Sequence, residues 1–196
     1  MTIVSQRGKM FLLDKLFGRF KGAAPAAAAA GESSGEVPVQ VPASPPTGAA
    51  APGTQIRHDP GLVPALMRDH VALLEIHSAI AAALDGGRLD VVRSRLDEFR
   101  AALMDHLLKE NVRLYVYLEH FLRGDAVSHR MMREFRHEMD VIGRAVVDFL
   151  GKYKELGQHP ELAGPFRQDL AAIGKALVSR IRREEEILYP MYLPAA

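Results

Sequence analysis

From Asp59 to Tyr192 apolar residues recur every three or four positions, the spacing of helices that each turn one face to a core. The first stripe is Val63, Leu66, His70, Leu73, Leu74, His77, Ile80, Ala81 and Leu84. Asp59-Pro60 predicts its start, a capping residue followed by a proline suited to a first turn, and Gly86-Gly87 predicts its end. A second helix is expected over about Leu89 to Leu122, with Gly124-Asp125 closing it. A third, over about Ala126 to Leu156, carries Met131, Met132, Phe135, Met139, Ile142, Val146, Phe149 and Tyr153 on one face. The fourth runs from near Pro165 to Pro190, with Leu170, Ile173, Leu177, Ile181, Glu184, Leu188 and Met191 turned inward. Long amphipathic helices joined by short loops predict an all-α, up-down-up-down four-helix bundle.

The second stripe is broken by chemistry. His106, at its edge, and Glu110, near its centre, interrupt the stripe of Leu96, Phe99, Leu103, Leu107, Leu114, Tyr117 and Phe121. They lie one turn apart on one face. A buried imidazole and a buried carboxylate are costly unless something satisfies them, and a metal ion or a paired cation can do so. The fourth helix echoes this pattern. His106-Leu-Leu-Lys-Glu110 followed by Leu114-Tyr115 aligns with Arg180-Ile-Arg-Arg-Glu184 followed by Leu188-Tyr189. The second and fourth helices run parallel in such a bundle, so the two glutamates can meet at one level. Counting back from the turn near residue 86 puts His70 opposite about residue 102, within a turn of His106. His77 falls at least a layer away and reads as a hydrogen-bonded histidine. His70, His106, Glu110, Glu184 and Arg180 thus form one candidate cluster. Tyr115 and Tyr189 are candidate donors behind it or boundary residues, and His120, His129 and His137 read as surface positions.

Upstream the pattern changes. In residues 9–21, KMFLLDKLFGRFK, Leu13, Leu16, Phe17 and Phe20 share a helical face, with Lys9, Lys15, Arg19 and Lys21 supplying charge. This short basic amphipathic helix suits an anionic membrane surface or a groove on a protein partner. Residues 22–58 are mostly Ala, Pro, Gly, Ser and Thr and cannot bury enough apolar surface to fold. The expected organisation is therefore an amphipathic segment (1–21), a disordered linker (22–58) and a bundle (59–192). As a flexible coil that linker reaches roughly 30–35 Å. A net charge of +1 carries no nucleic-acid signature. The absence of cysteine excludes disulfides, thiolate metal sites and thiol catalysis. No apolar run approaches the roughly 20 residues of a membrane span. A cytoplasmic protein, or one peripheral at the inner membrane face, is the expectation.

The stretches LMRDHVALLEIH (66–77), DHLLKENVRLYVYLE (105–119) and RIRREEEILYPMY (180–192) resemble the hemerythrin-like, or HHE cation-binding, family. The resemblance spans roughly residues 60 to 192. It implies a four-helix bundle holding a non-haem di-iron centre, with His70, His106, Glu110 and Glu184 as metal ligands, the two glutamates bridging. It implies binding of oxygen or nitric oxide, iron handling, or sensing, and no enzyme activity is expected. This chain departs from the family where Arg180 replaces a fourth-helix histidine and where the third helix faces inward with Met and Phe. Two readings follow. Either one ion sits among His70, His106, Glu110 and Glu184, or two sit there with waters for the missing ligands; mixed imidazole and carboxylate ligands suit iron, manganese or zinc. Or Arg180 is a substitute cation that holds both glutamates in a metal-free interaction bundle. A faint similarity of LMDHLLKENVRLY and IGKALVSR to regulators of sigma factors gives that second reading a concrete form.

Overall fold

The computed structural model describes residues 50–195. The amphipathic stretch at 9–21 and the linker as far as residue 49 lie outside these described residues. Within them the chain forms an all-α four-helix bundle. The first helix is α1 (Leu62–Asp85). The second is continuous but not uniform: α2 (Leu89–Lys109) passes into a π-helical segment, π1 (Glu110–Tyr115), and then into α3 (Val116–Phe121). The third is α4 (Ala126–Lys152). The fourth is α5 (Ala163–Arg183), continued by a second π segment, π2 (Glu184–Leu188). Helix α1 lies against α2 and α5, and α4 lies against α3 and α5.

Local chemistry sets the ends. Gly87, at φ +67°, turns the chain out of α1, a conformation that side chains with a Cβ resist. Asp125 caps α4 by accepting from the Val127 and Ser128 amides. The start of α1 differs from the sequence expectation. Its N-cap is Gly61, because the Asp59 carboxylate is spent on the Gly61 amide at 2.9 Å and on the Arg113 guanidinium. The third helix also stops earlier than Leu156, at Lys152, and short 3₁₀ turns carry the chain on to α5.

Ordered packing begins upstream of Asp59. Ala50 pairs with Arg57 in an antiparallel bridge, and Ala51 is buried. The His58 ring stacks on Tyr192 with centroids 4.5 Å apart. Towards the far end of α1, His77 Nε2 donates to the Leu170 carbonyl (2.9 Å), and its ring covers Gly174, where a Cβ would collide with it. His77 is thus a packing residue, one layer from the candidate cluster.

Two apolar clusters fill the interior. One centres on Leu73, Ile80, Phe99, Leu103, Phe149, Phe166 and Leu177. The other centres on Leu62, Leu66, Leu114, Tyr117, Phe135 and Leu188. The buried polar side chains gather where these clusters meet: His70, Glu110 and Glu184 fall between them along their helices, and His106 and Arg180 lie at the border of the first. Charged groups at such depth need partners, and the fold must supply them.

Candidate metal centre

The two π segments explain how the polar layer is built. Each starts at a core glutamate, Glu110 or Glu184, and the tyrosine five residues on either ends the segment, as Tyr115 does, or directly follows it, as Tyr189 does. A π turn closes i→i+5 bonds, so it stacks residues five apart where an α-helix would splay them. Each tyrosine therefore points into the layer its glutamate occupies. Both are buried. They act crosswise: Tyr189 of the fourth helix donates to Glu110 Oε1 of the second (3.1 Å), and Tyr115 of the second receives Arg180 Nη2 of the fourth (2.9 Å).

One half of the layer is rich in lone pairs. His70, His106 and Glu184 each offer a donor atom, all lying within 4.8 Å of one another. His70 Nε2 is 3.2 Å from Glu184 Oε2 and 3.1 Å from the Tyr189 hydroxyl. His106 Nε2 is 4.0 Å from Glu110 Oε1. All four residues expected as ligands thus converge, with Glu110 at the margin of the tightest group. Behind the imidazoles stand two carboxylates that the sequence did not single out. Glu185 is 2.8 Å from His70 Nδ1. Asp69 lies 3.6 Å from His106 Nδ1, too far for a hydrogen bond, because Lys109 grips both Asp69 oxygens at 3.2 and 3.0 Å. A carboxylate bonded to Nδ1, as Glu185 is, orients an imidazole and leaves its Nε2 for a metal.

The other half is closed. Arg180, only 3% exposed, gives Nε to Glu184 Oε1 (2.5 Å), Nη2 to Tyr115 and Nη1 to Glu138 Oε2 (3.2 Å). Its guanidinium lies 4.7 Å from the Phe135 ring centroid. Glu138 is held a second time by Arg183 at 2.6 Å. Glu138 is the third helix's contribution to the centre and was missed in the sequence. It follows Phe135 by three residues at the edge of the apolar stripe, which was the only signal available. His137 is exposed, while His129 pairs with Glu119 (3.0 Å) away from the layer. His120 is half-buried rather than a surface residue, and its Nδ1 has no hydrogen-bond partner among the described residues.

Charge follows geometry. Burial pushes the Glu110 carboxyl up to about 8, helped by the neighbouring Glu184 charge. Burial and the nearby His70 bring His106 down to about 4. For His70, burial favours the neutral ring, but the Glu184 and Glu185 carboxylates outweigh it and raise its pKa. Glu184 is lowered, because contacts with His70 and Arg180 overcome the burial that opposes its charge. The metal-free centre at neutral pH therefore keeps Glu184 and Arg180 as an ion pair and leaves Glu110 protonated.

That state is incomplete. Among the described residues Glu110 Oε2 is buried and has no hydrogen-bond partner, whether the group is ionised or carries a proton. A cation next to it resolves this defect. Two imidazoles and two carboxylates are a fitting donor set for a divalent transition metal. His70, His106, Glu110 and Glu184 are the residues that would hold it. The half built around Arg180 does not fit a metal, since a guanidinium has donors only and its charge repels a cation. Searches against curated proteins and against solved structures returned no match. A family model described as the hemerythrin HHE cation binding domain matches residues 62–192. That span covers the whole bundle and every residue of the polar layer, and the chain belongs to the hemerythrin HHE cation-binding domain family.

Proposed function

We propose that the bundle is a non-haem metal module of the iron type, which binds or senses a small ligand such as oxygen or nitric oxide, or handles iron. The partnerless Glu110 Oε2 carries this reading. A fully buried carboxylate oxygen beside two imidazoles is costly in a finished apolar core and ordinary in a metal site. An iron-type ion there would offer an open position to a small ligand. The residues around it supply the rest. Glu185 orients His70 through Nδ1, Asp69 stands near His106, Tyr189 fixes Glu110, and the apolar clusters above and below exclude water. The module is a binding unit and not an enzyme in this reading, because each polar side chain of the centre serves the metal position or holds a residue that does. The basic amphipathic stretch at 9–21 adds attachment to an anionic membrane surface or a protein groove. No helix among the described residues is long and apolar enough to cross a membrane.

A second reading rests on the satisfied Arg180 cluster: a metal-free bundle that works through protein contacts, as a regulator of a sigma factor does. Metal content of full-length protein purified without chelator, with an optical spectrum, separates the two. Near-stoichiometric iron that is lost in Glu110→Ala supports the metal module. A folded protein without metal, which also fails to take up ferrous iron anaerobically, leaves the interaction bundle.

A further inference from the structure

The second and fourth helices present the same frame twice: a residue four before the glutamate, the glutamate, a π segment and a tyrosine. In the second helix the leading residue is His106, with lone pairs to give. In the fourth it is Arg180, with none. The position equivalent to a metal-ligating imidazole is thus occupied by a permanent cation. Arg180 also consumes the oxygens that another ion would need. Glu184 Oε1, Glu138 Oε2 and the Tyr115 hydroxyl all lie on its guanidinium at 2.5, 3.2 and 2.9 Å. Glu184 is left with Oε2 alone on the His70 side.

We propose that Arg180 limits this centre to a single metal ion, by standing as a built-in cation in the second metal position, and that Glu184 consequently serves one ion without bridging. The single ion rests on the metal-module reading above; the exclusion of a second does not. Arg180 is a specificity-determining residue here. It sets the number of ions, and it draws charge from Glu184 by the short Nε contact, which weakens that carboxylate as a ligand. Glu138 remains anchored by Arg183 when Arg180 is replaced, so the oxygen donors stay in place.

The test is a titration of the full chain with zinc, and with ferrous iron under anaerobic conditions, followed by desalting and metal analysis. Wild type is expected to saturate at one ion per chain at any excess, and Arg180→His at two. Arg180→Lys, which keeps the charge, is expected to stay at one. Thermal midpoints with and without metal give a second readout, since only Arg180→His should gain from the second equivalent. Two ions in wild type overturn the proposal, as does a folded Arg180→His that stays at one. If Arg180→His does not fold, the wild-type titration decides alone. If wild type takes no metal, the metal-module reading fails; gain of metal by Arg180→His then still supports the exclusion, and no gain overturns it.

Discussion

The second and fourth helices place a glutamate at one level of the core with the same π turn and the same following tyrosine, yet the two halves they build differ in kind. The Arg180 half is finished. Its charges are paired, its donors are placed, and nothing in it invites a ligand. The His106 half is unfinished: among the described residues nothing bonds one of its carboxylate oxygens, and the His106 Nδ1 lacks a hydrogen bond. The difference teaches that the backbone frame carries position and the residue four before the glutamate carries chemistry. A buried cation supplied by the chain yields structure. A cation that must come from outside yields a binding site.

Replacing the two leading residues breaks the comparison most severely. Arg180→Ala leaves Glu184 buried without its main partner, so unfolding free energy in urea should fall by about 3–5 kcal/mol, with or without metal. His106→Ala removes a ligand type and no fixed charge. It should abolish metal retention yet lower metal-free stability by only about 1–2 kcal/mol. Equal losses of metal-free stability in the two variants would show that the halves are energetically alike.

A smaller effect is expected one step outward. Glu185→Gln should weaken metal affinity about 10- to 100-fold in a chelator competition, and Asp69→Asn, whose carboxylate stops short of His106 Nδ1, should weaken it less, while the helical circular-dichroism spectrum stays unchanged. An unaffected affinity in Glu185→Gln would mean that this carboxylate does not orient His70 for a metal.

The third difference is one of pH. Glu110, raised to about 8, and His70, also raised, hold their protons more tightly when folded and metal-free than when unfolded. Their contribution is complete below the unfolded values and is lost as pH rises through the folded ones. His106, lowered to about 4, acts in the opposite sense and only below its unfolded value of 6.5. From pH 6.5 to about 8 the metal-free protein should therefore lose on the order of 1 kcal/mol, and Glu110→Gln should reduce that slope. Metal uptake should strengthen over the same range, because Glu110 must give up its proton.

The smallest change belongs to a residue outside the comparison. Asp125→Ala removes the α4 cap and should lower the thermal midpoint slightly at neutral pH. The Ser128 contacts hold the Asp125 pKa below the ordinary value, so the capping contribution is present above the unfolded pKa. The difference between variant and wild type should vanish as pH falls through the lowered one. An equal effect on metal affinity would mean that the α4 terminus is coupled to the centre.

Much of this was legible in the chain. The 3.6-residue period, Gly86-Gly87 and Asp125 placed the helices, since burial pattern and backbone freedom are local properties. His70, His106, Glu110, Glu184 and Arg180 could be gathered by counting from one turn and by matching two segments. Three things could not. The π segments keep an α-like apolar spacing, so nothing in the pattern marks their extra width. Asp69, Glu185 and Glu138 look like solvated positions on their own helices and become part of the centre only through a neighbouring helix. The Asp59 carboxylate was diverted from capping by Arg113, a partner 54 positions away.

The spacing of residue types along the chain is enough to call for four amphipathic helices that gather two imidazoles, two glutamates and an arginine near one level. Whether that arginine or an outside ion would serve each carboxylate oxygen was left to tertiary structure. The reason is physical. A side chain's type fixes what it can donate, but which oxygen it reaches depends on the approach of a second helix over a few tenths of an ångström. Only the packed bundle sets Glu184 Oε1 on the guanidinium and leaves Glu110 Oε2 with none.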